Sequence, residues 1–323
     1  MTDSMPPPAV PPAPAPPTPP TPPLAVPPSS PTEAPSGDAR IYDLGYRRYE
    51  GERTGVTGSM RSLVGHSVRH ALGLGRSARF KVLPVLIVGF AYLPAIAIIG
   101  VVALFPIDPS DFLPTYAEYY GFVTAAIYLF VALIGPLLLC SDRRNGLLGV
   151  YLAAALNRPL YLVGKAISIT ILLLLVTLGP PLLLLISLSL QNLGPDGFGA
   201  WLETLGQIMA SSLILGVLFA AVATAISSTT DRTIIASVSV LATILGSTIV
   251  TATMVDGIGL HPAFRLGDLL VLPQALIFRI ADERSGWPVS ENPTWTMWLA
   301  WFGWVTVCVA WTWFRYRRLL VRR

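Results

Sequence analysis

The chain has 323 residues, of which 53% are hydrophobic and only 12% are charged, and its formal net charge is +4. Soluble globular domains carry about 25% charged residues, so this composition excludes an ordinary soluble protein and predicts a membrane protein. Cys140 and Cys308 are the two cysteines, too few for a disulfide framework or a cysteine metal cluster.

Residues 1–40 form a proline-rich tail. Sixteen of the first 36 residues are proline, and most of the others are Ala, Thr and Ser. Such a segment cannot bury enough apolar surface to offset its ordering entropy, so we predict a disordered tail with polyproline II character. It lacks the apolar core and cleavage site of a signal peptide. We expect a spacer, with docking to proline-reading domains as the alternative.

Residues 41–81 are predicted to form a cytoplasmic segment. The stretch 41–53 (IYDLGYRRYEGER) suits a surface at headgroup level or facing another subunit, and a solvated loop fits it equally. From Ser59 the apolar residues recur with helical spacing, which predicts an interfacial amphipathic helix before the first span. Its apolar arc holds Met60, Leu63, Val64, Val68, Ala71 and Leu72, and its polar arc holds Ser62, His66, Arg69, His70, Gly73 and Arg76. The two histidines have no third ligand nearby, so no metal site is predicted.

Six apolar stretches of 20 or more residues follow. They cover about 82–105, 119–140, 161–190, 204–227, 233–255 and 295–314. Backbone polar groups in lipid must pair internally, so each stretch is predicted to be a helix. The predicted fold is therefore all-α, a polytopic membrane protein whose six transmembrane helices occupy residues 82–323. Prolines at 84, 94, 180 and 181 predict kinks, which either line a cavity or shape packing.

Residues 141–165 (SDRRNGLLGVYLAAALNRPLYLVGK) separate the second and third stretches. The charged cluster Asp142, Arg143 and Arg144 ends the second span, because an Arg at the bilayer centre costs about 2.5–3.5 kcal/mol. No charge follows from Asn145 to Asn157, yet a helix of this length rises only about 20 Å and cannot cross the bilayer. We expect this short helix to end near Arg158, before Pro159. Lys165 should mark where the chain re-enters the membrane.

This segment resembles the coupling segment of type-2 ABC exporter permeases. The shared pattern is an acid and a base after a span, then G-x-L-x-x-Y-L, R-P and G-K, although the chain has fewer residues between the last two pairs. The matching residues are Asp142, Arg143, Gly146, Leu148, Tyr151, Leu152, Arg158, Pro159, Gly164 and Lys165. An amphipathic linker helix lying on the membrane is the alternative interpretation.

The resemblance implies a bacterial plasma-membrane permease subunit whose short helix docks on a separate cytoplasmic ABC ATPase. That partner would hold ATP and Mg²⁺, and the chain would form a homodimer or a heterodimer with a similar permease. The implied ATPase contacts are Asp142, Arg143, Arg144, Gly146, Leu148, Tyr151, Leu152, Arg158 and Pro159. A membrane scaffold that binds partners through the tail and the basic face is the second hypothesis.

The charge distribution predicts the orientation. When loops are assigned to alternate sides, 19 of the 22 bases fall on one side, which is predicted to be cytoplasmic together with both termini. These bases border spans, so they are expected to contact membrane lipid and not nucleic acid. On the other side, residues 256–294 form the longest extracellular segment. It either dips between the spans, as the resemblance implies, or caps them from outside.

The sequence predicts no catalytic residues in this chain. We find no Asp, Glu or His well inside the six stretches, which disfavours an ion-coupled carrier or an intramembrane enzyme. Gly164 and Lys165 lack the preceding glycine and the following Ser or Thr of a phosphate-binding loop. We therefore expect no cofactor in this chain and ATP hydrolysis in a partner.

Overall fold

The structure, a computed structural model, describes residues 55–75, 79–104, 113–147, 149, 151, 156–283 and 288–319. The predictions for the tail and for 41–53 lie outside these residues, as do Leu148 and Leu152. The described residues form helices and turns without a β-strand. Within these residues, six helical spans are long and apolar enough to cross a membrane, which confirms the prediction of an all-α chain with six such helices.

The described residues contain nine α-helices, numbered in chain order. They are α1 (Gly55–Ala71), α2 (Arg79–Leu104), α3 (Tyr116–Arg144), α4 (Arg158–Thr177), α5 (Gly179–Leu190), α6 (Gly197–Ser227), α7 (Thr233–Ala252), α8 (Val271–Ile280) and α9 (Thr294–Leu319). Helices α4 and α5 together make the third span, and a π-helical turn at Thr253–Gly257 extends α7. We call the end where α3 ends and α4 begins the basic end, and the other the opposite end.

Several helices extend beyond the apolar stretches. Helix α3 begins at Tyr116 because Thr115 and Glu118 form a capping box: the Thr115 hydroxyl accepts from Glu118 N–H at 3.2 Å, and the Glu118 carboxylate accepts from Thr115 N–H at 3.1 Å. Hydropathy identifies only the central apolar part of such a helix, which is about as long as the bilayer is thick. Its ends are set by capping groups that hydropathy does not register.

Helices α3 and α6 form the centre of the bundle, and α2, α7 and α9 lie at its periphery. Gly135 of α3 faces Ala223 of α6 so closely that a Cβ at Gly135 would lie 2.6 Å from the Ala223 Cβ. Small residues at such crossings let two helices pack through dispersion contacts, the main attraction between helices in lipid. The outer helices expose large apolar side chains, such as Leu86, Val238 and Phe302, as lipid-facing surfaces do.

The third span is broken at Leu178, as the Gly-Pro-Pro sequence predicts. Pro181 has no N–H to donate to the Thr177 carbonyl, and the Ser212 hydroxyl of α6 donates to that carbonyl instead, at 3.1 Å. On the other side, the Tyr92 hydroxyl of α2 donates to Leu175 O at 3.3 Å. Two neighbouring helices therefore supply hydrogen bonds around the break.

Helix α1 packs against the first turns of α4. A Cβ at Gly164 would lie 2.8 Å from Leu63 Cδ2 and 3.0 Å from Met60 Sδ, so the absence of a side chain there permits the contact. Leu63, Ser67 and Ala71 form one buried stripe along α1. Part of the predicted apolar arc therefore contacts the protein, and the position of α1 on a membrane surface stays a prediction.

After α7 the chain folds back between the helix ends. Asp268 accepts hydrogen bonds from Thr248 and Thr251 of α7, so the chain has returned about two turns from Gly257, the end of the π-helical extension. Helix α8 then runs toward the end of the bundle where α3 begins. Its Gln274 donates to Thr124 Oγ1 inside α3 at 3.1 Å, and the Thr115 hydroxyl at the start of α3 donates to Glu283 at 2.7 Å. Most of α8 is buried.

Candidate functional site

An ion pair between Asp142 and Lys165 lies buried at the basic end. Lys165 Nζ is 2.7 Å from Asp142 Oδ2, and the two side chains are 2% and 9% exposed. Asp142 lies in the last turn of α3 and Lys165 two turns inside α4. The pair therefore joins the two helices that flank residues 145–157, the α3–α4 connection.

Two further groups complete this site. The Tyr161 hydroxyl donates to Asp142 Oδ2 at 2.8 Å, and Lys165 Nζ donates to the Ser67 hydroxyl of α1 at 3.0 Å. Tyr161 and Lys165 are four residues apart in α4, so helical geometry places both side chains on the face toward Asp142. We call Ser67, Asp142, Tyr161 and Lys165 the lysine cluster. It unites α1, α3 and α4.

The opposite charges of Lys165 and Asp142 stabilise each other in the lysine cluster. A buried ion is costly to desolvate, and removing one partner of a buried pair costs about 3–5 kcal/mol because the other charge stays uncompensated. Here each charge also has a hydroxyl partner, from Tyr161 or Ser67. The arrangement fixes the position of α4 against α3, because a shift of α4 would break the bonds of Tyr161 and Lys165 together.

The α3–α4 connection contacts the lysine cluster through Tyr151. The Tyr151 ring centroid lies 5.6 Å from that of Tyr161 and 5.7 Å from Lys165 Nζ. Burial, and secondarily the negative charge of Asp142, raise the pKa of the Tyr151 hydroxyl. Tyr161 in turn lies 6.2 Å from the Tyr316 ring of α9. A row of three aromatic rings thus runs from the connection to the last helix.

Arg143 points away from the lysine cluster, toward the turn between α6 and α7. It donates to Ser228 O at 2.6 Å and Ser227 O at 3.3 Å, and it pairs with Asp231. The last carbonyls of a helix lack intrahelical partners and carry partial negative charge, so a guanidinium group is stabilised there. Asp142 and Arg143 therefore bind α3 to different neighbours.

The other carbonyls of this turn also accept bonds from α3 and α9. Cys140 Sγ contacts Thr230 O at 3.2 Å, and Arg315 of α9 donates to Thr229 O at 3.0 Å. Cys140 is thus a buried thiol in contact with polar backbone. Together with Arg143, these side chains fasten the α6–α7 turn to the rest of the basic end.

The predicted contact residues divide into buried and exposed groups. Asp142 is buried, the Arg143 side chain is only 7% exposed because it bonds within the chain, and Tyr151 is half-buried. The exposed group comprises Arg144, Gly146, Arg158 and Pro159. Gly146 has a φ of 66°, in the left-handed region that glycine tolerates, directly after the Asn145 C-cap of α3. Leu148 and Leu152 lie outside the described residues.

Helix α4 starts at Arg158, with Pro159 in its first turn, and residues 156 and 157 before it are not helical. The end of the short helix near Arg158 stays a prediction, because residues 152–155 lie outside the described residues. Proline favours the first turn of a helix because the N–H that it lacks would be unpaired there anyway. Lys165 lies two turns inside α4 and is buried, and its place at the membrane boundary stays a prediction.

Sequence reasoning missed Ser67, Tyr161 and Tyr316. Ser67 belonged to neither predicted arc of α1, although it falls midway between Leu63 and Ala71 at a spacing of four residues. Tyr161 had a usable signal, namely its spacing from Lys165 on one helical face. Nothing local in the sequence indicated that Tyr316, 155 positions after Tyr161, would pack against it.

A second buried carboxylate, Asp268, lies at the opposite end. Besides the two α7 hydroxyls, it accepts from Leu270 N–H at 2.9 Å and Val271 N–H at 3.2 Å, at the start of α8. Arg265 lies 4.0 Å away and pairs with Asp256. Asp268 thus caps α8 and holds the returning chain against α7, a role that the sequence did not predict.

Metal-ligating side chains do not gather in the part of the chain that the structure describes: no group of three or more His, Cys, Asp or Glu residues could hold an ion there. In comparisons with known proteins, no protein-family model and no curated protein matches the chain. The function must therefore be inferred from the geometry of the basic end and from the residue pattern around it.

Proposed function

We propose that the chain is the membrane-spanning permease subunit of an ATP-driven exporter, working with a separate cytoplasmic ABC ATPase that binds ATP and Mg²⁺. The residue pattern from Asp142 to Lys165 supports this proposal, since its acid, base, tyrosine, R-P and G-K elements resemble the coupling segment of type-2 permeases. The basic end would then face the cytoplasm of a bacterial cell, with both termini on that side.

The observation that carries the proposal is the contact between Tyr151 and the lysine cluster. Transport requires that a movement of the docked connection reach the spans. Tyr151 packs on Tyr161 and near Lys165, and the cluster joins three helices through short, buried bonds. Packed protein interiors transmit displacement because they have low compressibility. A push on the connection would therefore reach α1, α3 and α4 together.

Burial assigns different roles to the residues of the pattern. Arg144, Arg158 and Pro159 are exposed, so in the proposed complex they contact the ATPase directly. Asp142 and Arg143 are buried, so they act as positioning residues that connect α3 to α4 and to the α6–α7 turn. Leu148 and Leu152 remain proposed contacts on the sequence pattern alone.

The proposed cycle is mechanical. Two permease subunits, identical or similar, pair with two ATPases. ATP closes the ATPase dimer, the docked connections move with it, and the spans tilt to open a path at the permease interface. The segment containing Asp268 and α8 lies at the far end of that path and would form its outer gate.

Affinity purification tests the proposal. The tagged full-length chain is extracted from native membranes in mild detergent, and bound proteins are identified by mass spectrometry. We expect a P-loop ATPase in roughly stoichiometric amount. Arg158→Glu and Tyr151→Asp should each lower its recovery about tenfold, which corresponds to a loss of about 1.4 kcal/mol in the binding free energy.

Matched variants separate docking from folding. Arg232→Glu reverses an exposed charge on the α6–α7 turn, outside the pattern, and should leave recovery unchanged. Tyr151→Phe keeps the ring and should behave like the native chain. If no ATPase is recovered with a chain that elutes as a folded species, the proposal fails and the membrane scaffold becomes the better hypothesis.

A further inference from the structure

A narrow apolar slot of about 270 Å³ lies between α4 and α9 near the basic end. Its floor is formed by Leu139, Thr224 and Thr312, all of them buried. The Thr224 hydroxyl donates to Ala221 O at 2.9 Å and the Thr312 hydroxyl to Cys308 O at 2.8 Å. Because both hydroxyl protons are used within their own helices, the slot suits a hydrocarbon ligand better than a polar one.

The slot opens onto the outer surface of the bundle. Its rim includes Val163 of α4 and Val309 and Trp313 of α9, which are 48%, 55% and 43% exposed. In a bundle that spans a membrane, this surface is in contact with lipid chains. The volume is below the roughly 300–1,000 Å³ of pockets that enclose a whole small molecule, and it fits part of one extended chain.

Both walls of the slot continue into an arginine toward the basic end. Arg158 precedes Leu162 by four residues in α4, and Arg317 follows Trp313 by four residues in α9. Residues four apart lie on the same helical face, one above the other. Arg158 and Arg317 are exposed. Two guanidinium groups therefore lie one turn beyond an apolar slot, from two different helices.

We propose that this slot binds one acyl chain of an anionic phospholipid, with the lipid phosphate held by Arg317 and, in a chain without a docked ATPase, by Arg158 as well. Guanidinium groups bind phosphate oxygens through paired, charge-assisted hydrogen bonds, and basic pockets between membrane helices recognise anionic headgroups in this way. The occupant is a lipid of the leaflet at the basic end. The proposal depends on the slot geometry and not on the proposed transport function.

Native mass spectrometry tests the proposal. The full-length chain is purified in detergent containing equal amounts of phosphatidylglycerol and phosphatidylcholine, and the lipids retained per chain are counted. We expect one phosphatidylglycerol to be retained in preference to phosphatidylcholine. Arg317→Gln should lower that retention about fivefold, the effect of one base near an anionic lipid. Val163→Phe fills the mouth of the slot and should abolish retention of either lipid there.

Two matched variants keep the test specific. Arg318→Gln removes the neighbouring base, which stacks on the Phe314 ring at 4.0 Å, and should have little effect. Ile167→Phe introduces the same side chain one turn farther along α4, at a residue 41% exposed, and should retain phosphatidylglycerol. Equal retention of the two lipids, or equal losses in Arg317→Gln and Arg318→Gln, would overturn the proposal. The proposal would also fail if Val163→Phe left lipid retention unchanged but altered the oligomeric mass of the protein. In that case the occupant of the slot would be a second copy of the chain.

Discussion

The two buried carboxylates, Asp142 and Asp268, are stabilised in different ways. Asp142 pairs with a buried lysine, and the lysine cluster gathers residues from three helices that lie up to 98 positions apart. Asp268 is held by two hydroxyls and two backbone N–H groups, all within residues 248–271. The nearest guanidinium nitrogen of Arg265 is 4.0 Å away.

This difference shows how position in the chain determines what a buried charge can do. A carboxylate bound by distant helices couples them, so disturbing Asp142 should affect the whole bundle. A carboxylate bound by its sequence neighbours shapes one segment, so disturbing Asp268 should affect that segment alone. The following predictions test this contrast, beginning with the largest effect.

Lys165→Met should be the most destabilising of these changes. It keeps much of the side-chain volume but leaves Asp142 buried without a countercharge, and we expect a loss of about 3–5 kcal/mol in the free energy of unfolding. Thermal unfolding in detergent, followed by tryptophan fluorescence, would measure it. The companion change Asp142→Asn should restore part of the stability, because the double variant has no uncompensated charge.

Arg144→Met serves as the control for Lys165→Met. Arg144 lies two residues from Asp142 and is exposed, so its loss should change stability by less than about 0.5 kcal/mol. A Lys165→Met chain as stable as Arg144→Met would show that the lysine cluster does not hold the helices together.

Asp268→Asn should have a smaller and more local effect. The amide has one acceptor oxygen in place of two, so some of the four hydrogen bonds are lost, at about 2 kcal/mol. Hydrogen exchange should speed up in residues 256–280, while α3 and α4 remain protected. Asp282→Asn is the matched control, since Asp282 is exposed and its φ of 56° suits asparagine. Faster exchange throughout the bundle would contradict the local role.

Ser67→Ala should have the smallest effect, about 1 kcal/mol, because Lys165 keeps its bond to Asp142. The change removes the hydrogen bond between α1 and the lysine cluster. Faster hydrogen exchange in residues 55–71 would detect the weakened contact, and Ser62→Ala, at an exposed position of the same helix, should leave exchange unchanged. Identical exchange in the two variants would remove α1 from the cluster.

Most of the fold follows from hydropathy. The length of each apolar stretch, together with the need to pair backbone groups in lipid, requires six helices whatever their neighbours are. The break at Leu178 is equally local, because two successive prolines remove N–H donors in any surroundings. Helix ends were less predictable, since they depend on single capping residues such as Thr115 and Pro159.

The candidate site could be predicted only in part. The sequence identified Asp142 and Arg143 as charges at the end of a span. Their different roles follow from what each side chain is buried against, which depends on how α1, α4 and α6 pack. The pairing of Lys165 with Asp142 is a contact between antiparallel helices, and its register is decided by packing such as that of Leu63 on Gly164. No local pattern encodes that register.

The break at Leu178 has a consequence for how this chain can change over evolution. In an unbroken helix, inserting one residue rotates everything beyond it by about 100°. A break with its own side-chain hydrogen bonds, from Tyr92 and Ser212, absorbs such a rotation. Residues of α5 can therefore be gained, lost or replaced without turning Lys165 away from Asp142, so one half of the span can diverge while the other keeps its register.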